Sequence, residues 1–161
     1  MPKEIERKFL VIDDSWRKNA LKEELKQGYI LREKNRVVRI RTVDAKGYIT
    51  VKALVSGIER LEFEYEIPYD DAIEMLDKFC TKPLIEKTRH LVIHNGQLWE
   101  IDEFHSDNRG LIVAEAELES AGQALDLPVW AGKEVSEDPR YYNANLSLVP
   151  YTSWPDDEKE P

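Results

Sequence analysis

Hydrophobic and polar residues alternate at period two along most of this chain, the spacing that sends successive side chains to opposite faces of a strand. Ile5–Ile12 reads as a strand, with Glu4, Glu6 and Lys8 on one side and Ile5, Phe9 and Val11 on the other. Val37–Val43 and Tyr48–Leu54 read as a hairpin joined by Asp44-Ala45-Lys46-Gly47. Leu84–His94 and Gln97–Phe104 read as a second hairpin through Asn95-Gly96, the strongest turn signal in the chain. Gln27–Leu31 is a short strand, Glu59–Ile67 a strongly alternating one and Leu111–Glu119 the last long one. Helical spacing appears at Trp16–Lys26, after the capping residues Asp13-Asp14-Ser15, and places Trp16, Ala20, Leu21 and Leu25 on one side. Asp70–Cys80 carries an apolar stripe of Ala72, Ile73, Met75, Leu76 and Phe79. Gln123–Leu127 and Asp138–Leu148 also read as helical, and Trp154–Pro161 as a polar, disordered tail.

Roughly eight strands with short turns predict an α+β, mainly β fold: an antiparallel barrel or sandwich with helices as packing elements. One face of nearly every strand is ionic. Arg39 and Arg41 share a face, as do Thr50 and Lys52, Arg60 to Glu66, Lys87 and Arg89, Glu100 and Asp102, and Glu115 and Glu117. Two arrangements accommodate this pattern. In one, a sheet shows its charged face to water. In the other, a barrel encloses the charges and helices cover its apolar outside. The sorting of charge by strand favours the barrel, because solvated faces usually intersperse both signs. Acid pairs occupy the first and last strands, and basic pairs lie between them. Buried charge is costly unless paired or coordinated. A cavity with carboxylates on one wall and cations on others suits a polyanion bound together with divalent metal ions.

Composition narrows the partners. A net charge of -9 argues against a general nucleic-acid binder, although it leaves room for a basic cavity that captures a small anion. The single cysteine, Cys80, excludes an intrachain disulfide framework. No apolar run approaches the roughly 20 residues that span a bilayer, and Met1-Pro2-Lys3-Glu4 has no signal-peptide pattern. A cytoplasmic protein without membrane or nucleic-acid partners is the expectation. His90, His94 and His105 show no metal-ligand spacing, and His90 falls opposite Lys87 and Arg89.

These motifs, taken in order, resemble the CYTH superfamily, also called triphosphate tunnel metalloenzymes. The E-x-E-x-K string is Glu4-Ile5-Glu6-Arg7-Lys8, followed by Arg39-Ile40-Arg41 and Thr50-Val51-Lys52. Glu62-Phe63-Glu64, Lys87-Thr88-Arg89, the Glu100 and Asp102 pair and Glu115-Ala116-Glu117 continue the order. Residues 134–143 look like the family's closing segment and C-terminal helix. The resemblance covers roughly residues 2–149, leaving 150–161 as a tail. It implies an eight-stranded antiparallel closed β-barrel, a tunnel, with a triphosphate bound inside, and looks most like the bacterial inorganic triphosphatase branch. The implied chemistry is metal-dependent hydrolysis of inorganic tripolyphosphate or an organic triphosphate. An adenylate cyclase of the same superfamily, or a non-catalytic polyphosphate or nucleotide binder, is the alternative.

The residue roles follow from charge and chemistry. Glu4, Glu6, Glu115 and Glu117 are expected to hold Mg²⁺ or Mn²⁺, since hard cations prefer carboxylate oxygens. Arg39, Arg41, Lys87 and Arg89 are expected to clamp phosphate oxygens, with Lys133 closing over the substrate. Glu62, Glu64, Glu100 and Asp102 support the array as ligands, water-positioning groups or counter-charges. Lys8 and Lys52 are the catalytic candidates: if they approach each other, repulsion and desolvation lower one pKa and free a general base. The competing role for both is phosphate binding. Uncovered apolar barrel exterior would favour a homodimer.

Overall fold

The computed structural model describes residues 3–160. Pro2 and Pro161, which end the expected domain and tail, lie outside the described residues. Eight antiparallel strands close on themselves: β1 (Lys3–Val11), β2 (Leu21–Arg32), β3 (Arg36–Val43), β4 (Lys46–Ser56), β5 (Glu59–Ile67), β6 (Ile85–His94), β7 (Gln97–Phe104) and β8 (Ile112–Glu117). The neighbour order is β5-β4-β3-β2-β6-β7-β8-β1, and β1 returns to β5 to complete the barrel. A ninth strand, β9 (Ala131–Glu134), takes over the edge of β1 at Phe9 and Val11, beyond its pairing with β5 at residues 3–5. The expected closed barrel is thus present.

The turns form where the sequence provides left-handed backbone. Asn95 and Gly96 have φ values of 49° and 81° and join β6 to β7, as a two-residue hairpin of this twist requires. The loop between β3 and β4 is tighter than the expected four residues, because Asp44 itself adopts φ 50°.

Strand registers send the ionic side chains inward. Cross-strand partners in an antiparallel sheet share a face, and Arg39 sits opposite Thr50, Lys52 opposite Glu62, Lys8 opposite Glu115 and Arg89 opposite Asp102. The outward positions make two apolar layers. Helix α1 (Tyr69–Lys78) covers β3 and β4 with Ala72 and Leu76 against Ile40 and Cys80. Asp70 and Asp71 stand in its first turn, where the helix dipole favours negative charge. Phe9, Trp99, Ile101, Ala114 and Ala116 form the second layer under Trp16 and Trp130. On β4 and β5, Val51, Phe63 and Tyr65 stay exposed.

A third cluster lies inside the barrel. Leu10, Ile85, Phe104 and Val113 share the inward face with Lys8, Lys87, Asp102 and Glu115, each two residues away. The lumen therefore changes from ionic to apolar along its length. Tyr141, Leu146, Val135 and Trp154 fill that apolar end. The barrel is a blind tunnel, closed by the chain's own C-terminal segment.

Four expected elements differ. Trp16–Lys26 is not a helix: Ser15–Asn19 is one 3-10 turn, and β2 begins at Leu21. Leu21 and Leu25 satisfy both the helical and the strand period, and pairing of β2 with β3 and β6 on both edges decides the outcome. Gln123–Leu127 is irregular chain. Five residues between Gly122 and Pro128 are too few to sustain a helix, and Gln123 instead accepts a hydrogen bond from the Glu119 amide. Asp138–Leu148 is a 3-10 turn, Pro139–Tyr141, followed by the short helix α2 (Asn143–Leu146). The expected disordered tail instead carries Trp154 into the core at 6% exposure.

Trp99 is fully buried, with ring centroids 5.7 Å from Phe9 and 5.3 Å from Trp130. Trp99→Ala is expected to destabilise the barrel by about 3–5 kcal/mol, read as a lower urea midpoint with an unchanged m-value. A loss under about 1 kcal/mol would contradict this packing.

Candidate active site

The ionic half of the lumen is a cavity of about 730 Å³. Glu4, Glu6, Lys8, Arg39, Arg41, Lys52, Glu62, Glu64, Lys87, Arg89, Glu100, Glu115 and Glu117 all line it. Asp102 stands directly behind two of them. Its carboxylate accepts from Lys87 Nζ at 2.8 Å and from Arg89 Nε and Nη2 at 2.8 and 3.0 Å. Lys133 is elsewhere: it lies on the outer strand β9, exposed, with Nζ 2.8 Å from Glu160. Its expected role in closing the cavity is not supported by this placement.

Two arginines face the cavity with donors to spare. Arg39 Nη2 donates to Thr50 Oγ1 at 3.1 Å and to Glu64 at 3.4 Å, and its buried Nε has no partner among the described residues. Arg41 donates through Nε to Gln27 Oε1 at 2.9 Å. Buried donors are almost always satisfied, so an arginine that lines the cavity with part of its guanidinium unbonded suits an acceptor there. Arg89, by contrast, is held from behind by Asp102 and by Glu100 at 2.9 Å.

The lysines do not behave alike. Lys52 Nζ lies 2.9 Å from Glu4 and 3.1 Å from Glu62. Burial would lower its pKa, but Glu4, Glu6 and Glu62 outweigh it and raise it to about 12. Lys8 Nζ is 3.7 Å from Glu115 and donates to the Tyr141 carbonyl at 3.2 Å. The expected mutual repulsion of Lys8 and Lys52 is replaced by separate carboxylate partners, which removes the physical basis for Lys52 as a neutral base. The lowered lysine is Lys87. Burial brings it to about 7, with Asp102 opposing and Arg89 and Arg41 adding to the fall.

The carboxylates reveal the complementary need. Burial, with Lys52 opposing and Glu62 adding, raises Glu4. Burial, Glu115 and Glu4 raise Glu6 well above its usual range, and burial with Glu4 raises Glu117. Burial also raises Glu100, whereas Lys8 helps to hold Glu115 down at about 2 against its own burial. Glu6 and Glu117 are direct cross-strand partners at the seam between β1 and β8. Neither makes an ion pair among the described residues. Over the whole lining, with Asp102 behind it, acidic and basic groups nearly balance, nine to ten, so the unmatched negative charge is local to the seam of Glu6 and Glu117. A hard divalent cation fits this donor set. No three His, Cys, Asp or Glu side chains among the described residues already converge as a metal cage. That suits an ion which takes one or two carboxylates and completes its shell with phosphate oxygens and water.

Sequence reasoning missed several lining residues. Tyr29 lines the cavity, and Gln27 bridges Arg41 and the Tyr29 hydroxyl, donating to the latter at 3.0 Å. The signal was present as Gln27-x-Tyr29 at period two in the expected strand Gln27–Leu31, but neither side chain is charged and the ionic pattern does not include them. Asn143 Oδ1 accepts from Lys87 Nζ at 2.9 Å, and the Tyr142 ring lies 5.5 Å from Lys8 Nζ. No local pattern announces that this segment enters the lumen. His90 packs outside the barrel against Trp16, at 4.8 Å between ring centroids. No helix among the described residues is long and apolar enough to cross a membrane.

Comparison with known proteins agrees with this geometry. The family model for the CYTH domain matches residues 2–150. A protein named inorganic triphosphatase from Acetivibrio thermocellus is 46% identical over 154 residues, covering 96% of this chain and 99% of that relative. Another inorganic triphosphatase, from Nitrosomonas europaea, is 36% identical and covers 90% of this chain and 97% of its own length. A crystal structure of an inorganic triphosphatase superposes with a TM-score of 0.64 at 34% identity, over 90% of this chain and 94% of that one. The chain belongs to the CYTH domain family.

A Lys87 pKa lowered to about 7 favours the neutral amine at pH 8, whereas phosphate beside it favours the ammonium form. Triphosphate binding at pH 8 is therefore expected to take up close to one proton. Calorimetry in two buffers of different ionisation enthalpy reads this uptake, and Lys87→Met should remove most of it. Buffer-independent heats for the wild-type protein would contradict the lowered Lys87.

Proposed function

We propose that this chain hydrolyses the phosphoanhydride bond of inorganic triphosphate in the barrel lumen, with a divalent cation, Mg²⁺ or Mn²⁺. The observation that carries the reading is the ionic lumen itself: Arg39 and Arg41 keep donors unfilled on one wall, and Glu6 and Glu117 make no direct ion pair among the described residues on another. The full-length relatives named inorganic triphosphatase support it.

Phosphoryl transfer needs positioning and charge stabilisation more than covalent chemistry. Arg39, Arg41 and Arg89 orient the phosphate chain, their planar forks suiting paired oxygens. Lys8 and Lys87 add point charges. Glu6 and Glu117, with Glu4 and Glu115 beside them, would hold the cation, which when bound neutralises phosphate charge and polarises the phosphoryl group. Asp102 and Glu100 anchor Arg89, and Glu62 anchors Lys52. The apolar blind end limits water to the ionic half of the lumen.

An organic triphosphate is a second reading with one observation in its favour. Val37, Leu54, Ile58 and Leu148 line the cavity along with the cations Arg32, Arg36 and Arg60. A bare phosphate chain has no use for those apolar side chains.

Phosphate release should be fastest from inorganic triphosphate, slower from ATP or thiamine triphosphate, and absent with EDTA. Glu6→Gln combined with Glu117→Gln is expected to lower metal-supported turnover by roughly a hundredfold or more. Undiminished turnover in that variant would end the metal assignment, and faster release from an organic triphosphate would select the second reading.

A further inference from the structure

The family model stops at residue 150, yet the chain continues into the core. Pro150–Glu160 runs as a strap across the blind end. The Tyr151 amide donates to Asn108 Oδ1 at 2.8 Å, and Thr152 Oγ1 donates to the Asp107 carbonyl at 2.7 Å. At the far end Lys133 pairs with Glu160, and Arg140 Nη1 donates to the Glu158 carbonyl at 3.2 Å. Between these ties Trp154 turns inward. Its ring meets Tyr141 edge-on at 5.2 Å, and its Nε1 donates to the Val149 carbonyl at 3.0 Å. The Arg140 guanidinium lies 5.3 Å from the Tyr141 ring and 5.2 Å from the Trp154 ring.

The corner that Trp154 supports is the one that touches the tunnel cations. The Tyr141 carbonyl accepts from Lys8 Nζ, and Asn143 Oδ1 accepts from Lys87 Nζ. Tyr142, between them, lays its ring 5.6 Å from the Arg60 guanidinium, and Ser147 Oγ accepts from Arg32 Nη1 at 2.6 Å. Resting on the triphosphatase reading above, we propose that Trp154 is a positioning residue: it wedges the Tyr141–Asn143 corner so that its two oxygens fix the ammonium groups of Lys8 and Lys87 for the phosphate chain. Trp154 itself lines no part of the ionic cavity, so its effect there passes through the residues it packs on, with Tyr141 the one that reaches Lys8. The physical need is clear from the side chains. Lys8 and Lys87 are flexible stems with rotatable charges, and their carboxylate partners fix one direction each. The corner supplies the second direction. A displacement of about 1 Å at a substrate-orienting group is enough to slow an enzyme by roughly a hundredfold.

A double-mutant cycle tests this, run well below each variant's unfolding temperature and normalised to folded protein. Trp154→Ala is expected to lower kcat for triphosphate by about tenfold or more, with a smaller change in KM. Trp154→Phe should restore most of the loss. In a Lys8→Met, Lys87→Met background, Trp154→Ala should cost less than about twofold further, because the groups it positions are gone. An equal fold-loss in both backgrounds would overturn the proposal and leave Trp154 as a core residue alone. If Trp154→Ala does not fold, Trp154→Leu carries the same cycle. A readout independent of turnover separates the proposal from the functional reading: the side-chain ¹H–¹⁵N signals of Lys8 and Lys87, recorded below the Lys87 pKa of about 7 so that Lys87 carries its proton. They should shift in Trp154→Ala and stay fixed in Phe79→Ala, an exposed site on the outer surface. Shifted signals in a protein that releases no phosphate would sustain the positioning role and remove the triphosphatase reading. Unmoved signals would remove the positioning role whatever the activity.

Discussion

Ionised side chains taken out of water are expensive unless each finds a partner, and this barrel encloses more than a dozen of them in one lumen. That constraint explains the arrangement of the site. Asp102 is buried so that it can anchor Lys87 and Arg89 from behind, both within 3.0 Å. Glu4 and Glu62 clasp Lys52 from two strands. What stays unmatched is informative. Glu6 and Glu117 face each other across the strand seam, and Arg39 keeps a buried donor without an acceptor among the described residues. The first pair wants a cation and the second wants an anion, so the lumen is complementary to a phosphate chain carrying its own metal ion.

The gradient along the lumen matters as much as the charges. Lys8 to Leu10, Lys87 to Ile85, Asp102 to Phe104 and Glu115 to Val113 are each a step of two residues from an ionic layer to an apolar one. A single barrel thereby holds a binding cavity and a hydrophobic core end to end. The apolar end gives the C-terminal segment something to bury, and burying it delivers the Tyr141 carbonyl and the Asn143 amide to the cations. Stability and site geometry are coupled through those few residues.

The barrel and most of its lining were legible because strand periodicity is a local property. Arg39-Ile40-Arg41 or Glu115-Ala116-Glu117 announces its two faces without knowledge of the rest of the chain. The segment from Leu21 to Lys26 carries a helical signal as well as a strand one because Leu21 and Leu25 serve both periods, and only the pairing partners on each side decide between them. Gln27 and Tyr29 sit in the part expected as a strand, but they carry no charge, so a search for ionic faces passes over them. Lys133 illustrates the opposite failure: a basic residue near a closing segment carries no sign of which side of the barrel it will occupy. The wedge at Trp154 was invisible for a related reason. A lone tryptophan followed by Pro155-Asp156-Asp157-Glu158 reads as tail, and its burial depends on an apolar lumen end assembled from four distant strands. The exchange of roles between Lys52 and Lys87 depended equally on tertiary contacts. Both are alternating lysines in sequence, but one meets two glutamates and the other meets an aspartate together with two arginines.

The central claim is that a triphosphate and its cation enter the lumen and fill those unmatched positions. Diffraction from crystals grown with tripolyphosphate and Mn²⁺ tests it most directly, using the anomalous signal to locate the ion. The account predicts three linked phosphoryl groups against Arg39, Arg41, Lys87 and Arg89, with an anomalous peak beside Glu6 and Glu117. Triphosphate bound on the outer surface, with the lumen unchanged and no ion at the strand seam, would contradict it.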